Sequence, residues 1–102
     1  MSKTFTTQVD KEINHNGFQM TFSNGCIISV IFGKHTYSDG GETTAEVAAW
    51  NSNGNWMIYN ENGLPFDQWI VLPEDEVEVM PRQTADEVAN LISTLSQYST
   101  KE

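Results

Sequence analysis

The sequence predicts an α+β fold: an antiparallel β-meander of five or six strands with one C-terminal α-helix packed on the sheet. Three observations carry this reading. Phe18, Met20 and Phe22 alternate with Gln19 and Thr21, the period of a strand with one buried face. Asn24-Gly25 and Asn53-Gly54 each stand between two β-prone runs, where a hairpin needs residues that accept positive φ. Thr84-Ala85-Asp86-Glu87 is a Thr-x-x-Glu capping box, followed by Val88, Leu91, Ile92 and Leu95 at i, i+3, i+4 and i+7.

With 102 residues the chain reads as a single domain over 1–102, since a chain of this size builds one core. Residues 1–12 are polar around Phe5 and Val9 and read as an N-terminal arm or a short edge element. The sheet is expected over 17–80. Its first strand ends at Phe22, and Cys26 to Phe32 follows as a central strand, nearly all apolar and β-branched at Ile27, Ile28, Val30 and Ile31. Gly33 to Thr43 lacks apolar periodicity, holds three glycines and reads as a long loop. Thr44–Trp50 and Trp56–Tyr59 form the second hairpin, and Trp69–Leu72 makes a fifth strand that Pro73 ends for want of a ladder donor. Glu76–Met80 fits a short edge strand with Val77 and Val79 inward and Glu76 and Glu78 outward, charges that guard an edge. The helix is expected over 84–98, with Asp86 and Glu87 favouring its positive N-terminal end.

Composition excludes several function classes. Three Trp and 11% aromatic residues argue against a disordered acidic tail. No run approaches the roughly 18 apolar residues of a membrane span, and the start at Met1-Ser2-Lys3-Thr4 lacks a signal-peptide core, so a cytoplasmic protein without membrane contact is expected. A single cysteine, Cys26, forms no internal disulfide, and with His15 and His35 it falls short of a structural zinc set. Five bases against 14 acids, a net charge of −9, leave no surface for neutralising phosphates, so direct nucleic-acid binding is not expected.

Phe22-Ser23-Asn24-Gly25, Ser29-Val30-Ile31-Phe32-Gly33, Ala45-Glu46-Val47-Ala48-Ala49-Trp50 and Gly54-Asn55-Trp56, with the C-terminal helix, give the chain a resemblance to small accessory proteins of tailed bacteriophages. The resemblance implies an origin, and hence the bacterial host cytoplasm as the place of action. Other members carry an aromatic and a cysteine in the loop after the glycine. Here Tyr37 is followed by Ser38-Asp39, so no role of that cysteine carries over.

No nucleophile, base or metal set emerges from spacing. Cys26 lies in an apolar strand without a neighbouring base to activate it, the setting of an inert thiol. His35 with Asp39 reads as a solvated loop pair, and His35, Asp39 and Glu42 are mixed ligands on one loop without a set metal pattern. Neither a cofactor nor a metal is expected, and the chain is read as no enzyme.

Two binding surfaces remain. Lys34, Tyr37, Ser38 and Gly41 offer a cation, an aromatic ring, a hydroxyl and a glycine amide, the parts of an anion nest, although Asp39 and Glu42 oppose it. Trp50 and Trp56 flank the Asn53-Gly54 turn and either pair as core or supply a ring on which a base stacks. The expected function is therefore a non-enzymatic counter-defence protein that sequesters a small nucleotide-like ligand, a task that a homo-oligomer would help by enclosing it. The alternative rests on charge: between Lys34 and Arg82 there are nine acids and no base. Glu74, Asp75, Glu76 and Glu78 then imitate the phosphate spacing of DNA and bind a basic host protein.

Overall fold

The computed structural model describes residues 5–10, 15–33, 44–64 and 68–99. Among them the order is β1 (Phe5–Asp10), β2 (His15–Thr21), β3 (Ile27–Gly33), β4 (Thr44–Trp50), β5 (Trp56–Tyr59), β6 (Trp69–Val71), β7 (Met80–Thr84) and α1 (Ala85–Ser96). The strands form one antiparallel sheet in the order β1-β2-β3-β4-β5-β6, with β7 added against β4. The α+β meander with its C-terminal helix is thus the observed fold, with more strands than the five or six expected.

Both Asn-Gly turns close their hairpins in the same way. Gly25 N–H donates to Phe22 O at 2.9 Å and Phe22 N–H to Cys26 O at 2.9 Å; Gly54 N–H to Asn51 O (3.0 Å) and Asn51 N–H to Asn55 O (2.9 Å) repeat the pattern. In each, only the glycine has positive φ, 87° at Gly25 and 86° at Gly54. These are three-residue loops in which glycine takes the left-handed bulge position, so asparagine is left free to use its side chain.

Three expectations need correction. The polar arm contributes β1, whose residues from Phe5 to Asp10 pair with Met20 to His15, because backbone hydrogen bonds need no apolar periodicity. The last strand is not Glu76–Met80 but Met80–Thr84, and Val77 is 68% exposed rather than inward. Its residues pair as Met80 with Val47, Gln83 with Ala45 and Thr84 with Thr44, so Pro81 and Arg82 together oppose Glu46. That bulge accommodates a proline without a donor and gives Arg82 a φ of 54°. Finally, the helix closes at Ser96, short of the expected 98.

β4 organises the sheet. Along one edge it pairs with β3, while its other edge is divided, Ala49–Trp50 pairing with β5 and Thr44–Val47 with β7. Ile28 and Val30 of β3, Ala45, Val47 and Ala49 of β4, Met57 of β5 and Trp69 of β6 then face Leu91 and Leu95 of α1 in one core. Val88 and Ile92 of the helix stripe pack against its margin. Burying Leu91 and Leu95, 2% and 0% exposed, is worth about 1.5–3 kcal/mol each.

Candidate functional site

The face of the sheet turned away from α1 has an unusual composition. An antiparallel sheet with one covered face ordinarily carries polar residues on the other. Alternation from the core residues places Ile27, Ser29 and Ile31 of β3, Glu46, Ala48 and Trp50 of β4, Trp56 and Ile58 of β5 and Ile70 of β6 on this second face. Trp50 and Trp56 are direct cross-strand partners, their rings edge to face with centroids 4.8 Å apart. Both are half-buried, as are Ile27, Ile31 and Ile58, and Ile70 is 40% exposed. Gly17, paired with Ile31, is required here: a Cβ would run into the Val30 carbonyl oxygen and come within 2.7 Å of Ile31 Cγ2.

The acidic segment lies elsewhere in the chain path, between β6 and β7. Pro73 O accepts from Glu76 N–H at 3.0 Å, closing a turn that leaves Glu74, Asp75, Glu76 and Glu78 all exposed, with Val77 among them. Among the described residues Arg82 is the only Lys or Arg. The four carboxylates therefore stand in a field that favours cations.

A cleft of about 290 Å³ opens at the N-terminal end of α1, lined by Tyr59, Glu61, Gln83, Asp86, Glu87 and Asn90. Sequence reasoning did not bring these residues together, because only the return of α1 over β5 does so. Tyr59 Oη accepts from Asn90 Nδ2 at 3.3 Å, and Glu87 Oε1 accepts from Thr84 N–H at 2.8 Å while Thr84 Oγ1 accepts from Glu87 N–H at 3.2 Å. Glu87 is thus used by the capping box. The three carboxylates of the lining disfavour an anion.

Cys26 is fully buried, and that burial raises its thiol pKa above the ordinary value, which keeps the nucleophilic thiolate scarce. No group of three or more His, Cys, Asp or Glu side chains among the described residues is arranged to hold a metal ion. No described helix is long and apolar enough to cross a membrane. Of the residues expected at a ligand site, Trp50 and Trp56 meet on one face; Lys34, Tyr37, Ser38 and Gly41 lie outside the described residues, as do His35, Asp39 and Glu42. No family model, no curated protein and no solved structure matches this chain.

Proposed function

We propose that this chain is a non-enzymatic binding protein, a phage accessory factor in counter-defence, that docks a basic nucleic-acid-binding protein of the host through Glu74, Asp75, Glu76 and Glu78. The observation that carries this reading is the joint exposure of all four carboxylates on one turn, with Val77 exposed at 68% in their midst. The charges steer a basic partner from a distance, and the valine offers an apolar contact once it has arrived. A net charge of −9 on 102 residues adds to the steering.

Capture from a bacterial extract tests this, using the wild-type chain beside one carrying Glu74→Gln, Glu76→Gln and Glu78→Gln. The expected result is a basic protein retained by the first, released by duplex DNA and by salt above the range where the Debye length falls below about 8 Å, and absent from the second. Equal retention by both chains would remove the acidic turn from the binding surface.

The contact of Trp50 with Trp56 favours a second reading, sequestration of a nucleotide-like ligand, because two half-buried indoles side by side form a stacking platform. In that reading Lys34, Tyr37, Ser38 and Gly41 supply the anion and base contacts. Lys34→Ala or Tyr37→Ala would then abolish retention of a nucleotide in native mass spectrometry, while the three Gln substitutions would leave it unchanged.

A further inference from the structure

We propose that the sheet face opposite α1 is a contact between two copies of this chain, formed by packing the two faces together across a two-fold axis. The face is lined by Ile27, Ile31, Trp50, Trp56, Ile58 and Ile70, at positions where a solvated antiparallel sheet carries polar side chains. Contiguous apolar surface of this kind marks an interaction site.

Charge, shape and area select a second copy as the occupant. Although the chain carries −9, Glu46 is the only charged residue that alternation places on this face in β3 to β6, so two copies meet there with little repulsion. The same lack of cations disfavours a phosphate-bearing ligand, and the lack of further acids gives a basic partner nothing to select. In shape, Ser29 and Ala48 are paired and buried at 5% and 8%, a row of small side chains between Ile27, Trp50 and Trp56 on one side and Ile31 on the other. A two-fold axis lays the ridge of one copy over the small row of the other, as two twisted sheets do when packed about 10 Å apart. The plane of β2 to β6 covers about 450 Å² at about 4.8 Å between strands and about 3.4 Å per residue. Side-chain relief brings the accessible area toward the roughly 800 Å² per partner of a stable interface.

Sedimentation equilibrium and native mass spectrometry of the full chain between about 1 and 100 µM test this directly. The expected species has twice the 11.5 kDa chain mass. Ile58→Lys and Ile70→Lys change side chains that already reach the surface, so the variants are expected to keep the wild-type circular dichroism while self-affinity falls about a hundredfold. Dilution of the wild type should also move tryptophan emission to the red as Trp50 and Trp56 meet water, a readout that needs no variant. A wild-type monomer at the highest concentration, a monomer retaining a small molecule, or folded variants that stay dimeric would each overturn the proposal. So would loss of the dimer in the chain with Glu74→Gln, Glu76→Gln and Glu78→Gln, which would move the contact to the acidic turn.

Discussion

Asn24 and Asn53 occupy the same place in two hairpin loops of the same geometry, yet only one of them reaches another element. Asn24 Nδ2 donates to Leu95 O and Tyr98 O, each at 2.9 Å, and its Oδ1 accepts from Cys26 N–H at 2.9 Å. The last turn of α1 has no basic residue and ends at Gln97 with φ −102°, outside the left-handed region that glycine usually supplies. Asn24 therefore satisfies carbonyls that the helix itself leaves open. Asn24→Ala should cost about 1–3 kcal/mol in urea denaturation, since it strands part-buried groups. Asn53→Ala, at an exposed tip, should stay within about 0.5 kcal/mol of wild type. Cys26 gives a second prediction at this scale. Its thiol pKa is raised by burial above 9.0, so between that value and the folded pKa the unfolded chain has lost a proton that the folded chain keeps. The folded state then binds more protons, and stability is complete below pH 9.0 and falls as pH rises beyond it. Cys26→Ser removes this thiol, and a pH series of urea midpoints should show the alkaline decline reduced.

At the scale of elements, α1 is held to the sheet by apolar burial and by one polar contact that sets its position along the strands. Trp69 Nε1 donates to Thr94 Oγ1 at 2.9 Å, and Thr94 Oγ1 in turn donates to Asn90 O at 2.8 Å. Tyr59 packs edge to face on Trp69, with centroids 5.4 Å apart, and its hydroxyl meets Asn90. The aromatic pair and the threonine thus join β5, β6 and α1. Thr94→Val keeps the shape and removes the acceptor, leaving the indole N–H of a side chain only 4% exposed without its partner. The expected loss is about 1–3 kcal/mol, with tryptophan near-ultraviolet dichroism altered and far-ultraviolet dichroism kept. The same substitution leaves the helix-free face untouched, so the oligomeric mass in native mass spectrometry should match that of the wild type.

For the whole molecule, charge outweighs every local contact in its reach. A net −9 with five bases produces self-repulsion in the compact state, and the described part holds a single Lys or Arg, Arg82. Raising sodium chloride from about 0.02 to about 0.3 M shortens the Debye length and should raise the melting temperature at pH 7, opposite to the weakening expected for binding to a basic partner. A melting temperature independent of salt would mean that the carboxylates are already compensated within the fold. The two proposed surfaces divide the molecule accordingly. The acidic turn faces water and a charged partner, whereas the charge-poor sheet face meets its own copy.

Local chemistry made much of this fold legible. Asn-Gly turns, β-branched runs and a capping box act over a few residues, so the two hairpins, the start of α1 and its stripe at Val88, Leu91, Ile92 and Leu95 follow from the amino-acid order alone. Acid exposure at Glu74 to Glu78 was legible for the same reason, since no neighbouring base could compensate those charges in sequence. What tertiary structure alone decided is non-local. β1 joins β2 through backbone pairing that leaves no side-chain period. β7 forms at Met80–Thr84 because the open half of the β4 edge accepts it with a bulge at Pro81 and Arg82. Alternation marks two faces of a strand but not which of them a later helix will cover, so the placement of Trp50 and Trp56 away from α1, and of Asn24 at its end, awaited the docking of residues about 70 positions along the chain.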